Sequence, residues 1–287
     1  MNIINNVGKL LNKSVNPLTT AEIAAKAPAV FARDYSMMRT DKYSMFNTND
    51  IIDALEKEGF VVTNAMQDAP NHSARWLAEH EGRMEHAKEH GRHMVRFTHV
   101  DSLGGAKVGE DRPELVLVNS HNGACSYQLM AGIFRLVCSN GLVIRAEDFG
   151  TVNIRHAGHS IDEVIAASLN IAGNFNRING VMDEMKSIIL KPGEVTMFAL
   201  NAAKIKYGND KKFENVKQLV EPIRQEDGEN NLWNVFNRAQ EHLIRGGFKV
   251  TQKTAGPVKS INEDVRINSE LWNLANNYRL KRISAVA

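Results

Sequence analysis

The chain has 287 residues, enough for one large domain or two smaller ones with a substantial core. Its 43% hydrophobic and 24% charged content is typical of globular proteins and excludes wholesale disorder. The formal net charge of +2 permits a nucleic-acid partner without requiring one. The two cysteines exclude a disulfide framework and favour a reducing compartment. No apolar run approaches the roughly 20 residues that span a bilayer, so we expect a cytoplasmic protein with no membrane partner.

The first part of the chain predicts an arm, a helix and two strands. Residues 1–45 hold short helical patterns and prolines, which we interpret as an N-terminal arm. From Asn49 to Gly59, an N-cap asparagine, an apolar face and a final glycine predict an amphipathic helix. A strand is expected to begin at once at Phe60, and Met94–Val100 predicts another.

The stretch from Glu114 to Arg145 carries the strongest local signal. Two Asn-Gly pairs, Asn122-Gly123 and Asn140-Gly141, separate three apolar runs. Both residues of such a pair tolerate the positive φ of hairpin turns, so we predict an antiparallel β-meander. A further strand is expected within Phe149–Ile154.

Helical patterns dominate the remainder. Ser160 and Glu163 form a capping box that opens a predicted long helix, which Lys191-Pro192-Gly193 is expected to stop. Three later helices are predicted over Glu194–Tyr207, Phe213–Arg224 and Asn231–Arg245. A second capping box, Ser260 with Glu263, predicts a last helix that runs to about Lys281. Strands followed by helices favour an α+β fold, here an antiparallel β-meander with a long packed helix and a helical C-terminal part. We predict an arm (1–45), an α+β core domain (46–193) and a helical region (194–287).

Enzyme signatures give little support for catalysis. No P-loop, dinucleotide-binding glycine motif or nucleophile elbow is present. The run from His86 to His90 matches the H-x-x-E-H zinc motif, which makes both histidines candidate metal ligands. That segment is short and polar on every face, which favours a solvated segment instead. We therefore predict a protein that is not an enzyme, with no catalytic residues and no cofactor.

Basic residues predict a surface that contacts phosphates. Several arginines lie in or beside predicted strands, one lies in the long helix, and lysines crowd a late loop. Such side chains are suited to follow a phosphate backbone. The alternative is that they are ordinary solvent-facing residues paired with acidic neighbours. The predicted DNA-binding residues are Arg96, Arg135, Arg145, Arg155, Arg177, Lys249 and Lys253.

Three runs resemble a known family. They are NSHNGACSYQLMAGIFRLVCSNGLV, NLWNVFNRAQEHLIRGG and VKSINEDVRINSELWNLA, and they are similar to the DUF932 family of phage- and plasmid-like proteins. The resemblance implies an origin in a mobile element and supplies no catalytic residues. The order of a β-meander and a long helix is also similar to the core of Rad52/Redβ-type annealing proteins, an analogy of fold alone.

These observations lead to three hypotheses. The first is a homo-oligomeric protein of a mobile element that binds DNA, in particular single-stranded DNA, in the manner of annealing recombinases. The second is an anti-defence protein that inhibits a host restriction or nuclease system by binding a host protein. The third is a metal-dependent hydrolase that uses His86, Glu89 and His90.

Overall fold

The computed structural model describes residues 16–34, 47–69, 88–103, 111–122, 125–135, 140–144, 149, 151–154, 160–210, 213, 215–249 and 254–285. The chain divides into two compact units. The first comprises residues 1–141 and 150–173, and the second comprises residues 142–149 and 174–287. The domain boundaries expected from the sequence stay a prediction. In the described part of the chain, no helix is both long and apolar enough to cross a membrane.

Helix α2 of the first unit confirms the amphipathic helix that the sequence predicts, although its N-cap residue is Asn47 and not Asn49. It follows helix α1 (Thr20–Lys26) and a 3₁₀ turn (Pro28–Phe31), and it spans Thr48–Lys57. Its apolar face is buried, and the chain then turns at Gly59 with φ of +83°. A Cβ on that glycine would lie 2.8 Å from Nε2 of His99, so both the backbone angle and the space favour glycine.

A six-stranded sheet belongs mainly to the first unit. Its strands are β1 (Phe60–Gln67), β2 (His93–His99), β3 (Asp111–Asn119), β4 (Tyr127–Arg135), β5 (Asn140–Ile144) and β6 (Val152–Ile154). The order is β1-β2-β3-β4-β5, and β6 pairs with β4. Strands β1 to β4 pair antiparallel, with Arg96 opposite Val116 and Glu114 opposite Gly132. The α+β fold and the meander are therefore confirmed.

The connection between β3 and β4 is longer than a two-residue hairpin turn. Strand β3 ends at Asn119 and β4 begins at Tyr127, and Gly123 of the predicted turn lies outside the described residues. The backbone N–H of Cys125 donates to Ser120 Oγ at 2.9 Å, and that hydroxyl donates to the Cys125 carbonyl at 3.2 Å. One serine side chain thus closes the loop that the sequence assigns to the Asn-Gly pair.

The predicted long helix is in fact two helices, α3 (Ile161–Gly173) and α4 (Phe175–Ser187). A glycine in a helix interior costs roughly 1 kcal/mol relative to alanine, which favours a break at Gly173. Helix α3 packs against α2, β3 and β4 in the first unit. Pro192 begins the next helix, since proline suits the first helical position, where no N–H bond is needed.

The second unit is helical. Helix α4 is followed by α5 (Pro192–Tyr207), a 3₁₀ helix (Val216–Val220), α6 (Leu232–Arg245) and α7 (Ile261–Ser284). The predicted helix over Phe213–Arg224 is wrong, because the described residues there form the shorter 3₁₀ helix and bends. The second capping box is also wrong: Ser260 makes no side-chain cap, and Glu263 pairs with Arg266.

Helix α6 is the core of the second unit. Every residue from Leu232 to Glu241 is buried, although the run includes amides and charged groups. Trp233 and Phe236 stack with ring centroids 5.3 Å apart, and Trp272 of α7 meets both edge-on. The buried amide of Gln240 donates to Asn268 of α7 at 2.9 Å. Buried polar groups of this helix are therefore hydrogen-bonded, as burial requires.

Candidate nucleic-acid interface

Two of the predicted DNA-binding arginines lie inside the sheet of the first unit. Arg96 on β2 and Arg135 on β4 are each 6% exposed. Arg96 Nη1 donates to Glu114 Oε2 at 3.1 Å, and Arg135 Nε lies 3.6 Å from Asp111 Oδ1. Both guanidinium groups face protein carboxylates, so this structure gives them no exposed path to a phosphate.

The electrostatics of Glu114 explain why a cation is needed there. Its carboxyl is fully buried, and burial raises its pKa because the charged form loses its hydration. The guanidinium of Arg96 opposes that rise through charge and hydrogen bonding, and Arg112 adds a smaller effect. The arginines of the sheet therefore balance a buried acid.

The other predicted cations lie elsewhere. In the second unit, Arg177 is exposed on α4, with its guanidinium carbon 5.7 Å from the ring centroid of Phe149, and Lys249 is exposed. Of the described candidates, two are thus buried in the sheet of the first unit and two are exposed in the second unit. The remaining candidates, Arg145, Arg155 and Lys253, lie outside the described residues.

Lys249 belongs to a short antiparallel pairing of residues 246–249 with the segment 254–259, and these two described segments are here named the basic hairpin. Gly246 and Gly247 open it with φ of +73° and +85°. The N–H of Gly247 donates to the Ala255 carbonyl at 2.8 Å, and the N–H of Ala255 donates to the Phe248 carbonyl at 2.9 Å. Lys249 and Thr254 form the next bridge. Residues 250–253 between these two strands are outside the described part.

Further contacts fix the base of the basic hairpin to the helices of the second unit. Lys206 Nζ donates to the Leu243 carbonyl at 2.6 Å and to the Gly256 carbonyl at 3.1 Å, which joins α5, α6 and the hairpin. Burial lowers the pKa of the Lys206 ammonium, and the charge of Glu263 opposes that shift. The Val258 N–H donates to the Ile244 carbonyl at 2.7 Å. These contacts therefore fix the position of the backbone that carries the exposed Lys249.

A second lysine lies beside it that sequence reasoning missed. The backbone N–H of Lys249 donates to Gln218 Oε1 at 3.1 Å, so the hairpin adjoins the 3₁₀ helix that carries exposed Lys217. Within the described residues, neither lysine has a carboxylate within salt-bridge distance. Exposed Lys259 lies at the end of the same hairpin. No sequence pattern links positions 217 and 249, because their proximity depends on a tertiary hydrogen bond.

The charge of the two units differs. The second unit has 19 Lys and Arg against 15 Asp and Glu, a net charge of +4. The first has 16 against 18, a net charge of −2. The small net charge of the whole chain is therefore the sum of a basic second unit and an acidic first unit. The basic hairpin belongs to the second unit.

The candidate zinc motif is described only in part. His86 is outside the described residues, Glu89 is exposed, and the His90 side chain is 1% exposed with Nε2 2.9 Å from Asp34 Oδ1. Among the residues that the structure describes, no three His, Cys, Asp or Glu side chains are grouped to hold a metal ion.

A buried polar cluster in the first unit also escaped sequence reasoning. Thr48 Oγ1 lies 2.7 Å from His93 Nε2 and 3.4 Å from His121 Nε2, and it accepts from Asn119 Nδ2 at 3.0 Å. His93 Nδ1 is 3.0 Å from the Gly91 carbonyl, which can only accept, so Nδ1 donates there. All four side chains of the cluster are fully buried, so it joins α2 to the sheet and offers no access to a substrate.

Fold and surface thus define an α+β protein that carries an anchored basic hairpin on its helical unit. The model of the family described as "Domain of unknown function (DUF932)" matches residues 37–272, so the chain belongs to this family. The resemblance seen in the three sequence runs is confirmed.

Two curated relatives of Escherichia coli (strain K12) are similar over most of the chain. The UPF0380 protein YafZ is 34% identical over 264 residues, which cover 90% of each protein. The UPF0380 protein YfjQ is 33% identical over the same length and coverage. No solved structure gives a significant match. The similarity to Rad52/Redβ-type proteins stays a prediction.

Proposed function

We propose that this protein binds nucleic acid through the basic hairpin and the adjoining Lys217, and that it is not an enzyme. One observation carries the proposal. The hydrogen bond from Lys249 to Gln218 places two exposed lysines on adjoining segments of the more basic unit, and neither pairs with a carboxylate in the described part of the chain. Two such ammonium groups suit a ligand with regularly spaced negative charges.

The physical basis is the release of counterions from a phosphate backbone. Each lysine that neutralises a phosphate makes the affinity fall more steeply with salt: the slope of log K against log salt concentration changes by about −0.7 per contact for single strands and about −0.9 for duplex DNA. The contacts that fix the base of the hairpin reduce the ordering cost of binding. Such contacts give little base specificity.

Single-stranded DNA is the ligand that the similarity to annealing proteins implies, and we propose it as the preferred form. A homo-oligomer is part of the same proposal, since annealing proteins line a strand with repeated copies of one surface. An inhibitor of host defence proteins remains the alternative from sequence. Two exposed lysines on adjoining segments suit a polyanion, so we favour nucleic acid over a host protein as the partner.

The test is fluorescence anisotropy with labelled single-stranded and duplex DNA of equal length, titrated with the full chain from about 50 to 200 mM salt. The decisive variant is Lys217→Gln with Lys249→Gln. A matched control, Lys186→Gln with Lys191→Gln, removes the same charge from other exposed positions of the second unit. We expect the hairpin variant to lose about 1.4 of the single-strand salt slope, and the control to keep its slope.

Two results would overturn the proposal. One is the absence of binding to either DNA at the lowest salt. The other is an equal loss of affinity in both double variants, which would show that net charge, and not this surface, attracts DNA. Circular dichroism of each variant shows whether the fold is kept.

A further inference from the structure

A groove lies between α5 and α7 in the second unit, here named the α5–α7 groove. It consists of two cavities of about 660 and 420 Å³ that share Asn201, Leu274 and Asn277, so they are continuous. The α7 positions that line it recur every three or four residues, the spacing of one helix face. The larger cavity has a volume suited to a small ligand, since ligand pockets are typically about 300–1,000 Å³.

The acidic side chains of the α5–α7 groove are already neutralised. Glu194 at one end lies 2.6 Å from Arg282 Nη2. Glu270 at the other end lies 2.8 Å from Arg266 Nη1. The carboxylates therefore present little net negative charge to an incoming ligand.

The lysines of the groove keep their charge available. Lys281 lines the larger cavity and Lys204 the smaller one. In the part of the second unit that the structure describes, neither has a carboxylate within salt-bridge distance. Between them lie the exposed amides of Asn273 and Asn277, which can both donate and accept hydrogen bonds. The groove thus offers a cation for an anionic group and amides for a polar edge.

The apolar part of the larger cavity is held in place. Tyr278 packs edge-on against Phe198, with ring centroids 5.5 Å apart, and Met197 and Leu274 line the cavity beside it. Burial raises the pKa of Tyr278, the charge of Glu194 raises it further, and a hydrogen bond with Asn201 opposes the shift. The phenol therefore stays neutral at physiological pH, and its ring is positioned to contact a flat ligand.

We propose that the α5–α7 groove binds a nucleotide unit, with the phosphate at Lys281, the base over Met197 and Tyr278, and the base edge at the amide of Asn277. The site is separate from the basic hairpin and does not depend on the hairpin proposal. The same chemistry has two sources, a free mononucleotide or one nucleotide of a single strand.

The experiment is an NMR titration of the full chain that follows the side-chain amides of Asn273 and Asn277. The probes are deoxyadenosine monophosphate, deoxyadenosine, inorganic phosphate, and a four-nucleotide single strand. We expect the monophosphate or the single strand to shift these amides, and Lys281→Gln to weaken binding about tenfold, the loss of one charge-assisted contact. Lys186→Gln, which removes a charge from an exposed position of α4 outside both cavities, is the control and should bind as the parent protein does.

The probes separate the sources and can refute the site. Shifts with the monophosphate identify a free nucleotide, and shifts with the single strand alone identify a strand; both support the proposal. The proposal would be overturned if inorganic phosphate shifted the amides as much as the monophosphate does, because the site would then recognise only an anion. Unmoved amides with every probe would also overturn it. If Lys281→Gln fails to fold, Asn277→Ala tests the contact with the base edge instead.

Discussion

The sheet of the first unit and the basic hairpin of the second use cations in opposite ways. Arg96 and Arg135 are buried and face carboxylates within the sheet. Lys217 and Lys249 are exposed, and within the described residues no carboxylate pairs with them. A positive charge therefore predicts a phosphate contact only where the fold leaves it in solvent and without an internal partner.

The energetic consequence also differs between the two regions. Removing one member of a buried ion pair leaves the other charge uncompensated and costs about 3–5 kcal/mol, whereas exposed charges contribute little to stability. Substitutions in the sheet should therefore change unfolding, and substitutions on the hairpin should change binding.

The largest effect is expected for Arg96→Met. The variant leaves the buried carboxylate of Glu114 without its guanidinium, so we expect the free energy of unfolding to fall by about 3–5 kcal/mol in urea titration. The double variant Arg96→Met with Glu114→Leu should recover much of that loss, because it removes both charges. A single variant as stable as the parent would contradict the role of this pair.

The pH dependence of that variant sharpens the same point. The pKa of Glu114 is raised in the folded state, so the folded protein binds more protons than the unfolded chain between the two pKa values. This group's contribution to stability therefore decreases as the pH rises through that window. Loss of Arg96 removes the group that opposes this rise, so we expect the variant to gain stability relative to the parent as the pH falls from neutral toward the ordinary pKa of a glutamate. Glu114→Gln added to the variant should abolish that gain.

The next effect concerns the base of the hairpin. A Cβ at Gly246 would lie 2.5 Å from the Ala255 carbonyl oxygen, whereas one at Gly247 meets nothing within 4 Å. Both glycines have positive φ, so Gly247→Ala measures the backbone cost alone. We expect Gly247→Ala to cost about 1 kcal/mol and Gly246→Ala about 3 kcal/mol or more in urea titration. Equal losses would show that the close approach contributes nothing.

A smaller loss is expected at the buried polar cluster. Thr48→Val keeps the shape of the side chain but removes the hydroxyl that His93 and Asn119 share. We expect a loss of about 2 kcal/mol in thermal or urea unfolding, since buried polar groups then lose a partner. Thr48→Ser keeps the hydroxyl and should retain more than half of that free energy.

The smallest effect is expected for Lys249→Gln. Its side chain is exposed, and the hydrogen bond to Gln218 uses the backbone N–H, which the substitution keeps. The free energy of unfolding should therefore change by no more than about 0.5 kcal/mol. A larger loss would mean that this lysine stabilises the fold and would weaken the contrast with Arg96.

Local patterns predicted most of the architecture. The apolar runs located β3 to β5, although the Asn140-Gly141 pair expected to form a turn lies within β5. Helix starts such as that of α6 were placed within a residue or two. The burial of Arg96 could not be predicted from the sequence. Strand β2 is buried on both faces, so its residues do not alternate between core and solvent. Similarly, the partner of Lys249 lies 31 residues away, and the break after Gly173 depends on a single glycine.

The all-round burial of α6 has a consequence for how the second unit opens. A helix whose residues from Leu232 to Glu241 are buried on every side cannot expose its amides by fraying alone. Deuterium should therefore enter this helix only when the whole second unit unfolds. The slowest-exchanging amides of α6 would then report the global stability of that unit directly, without denaturant.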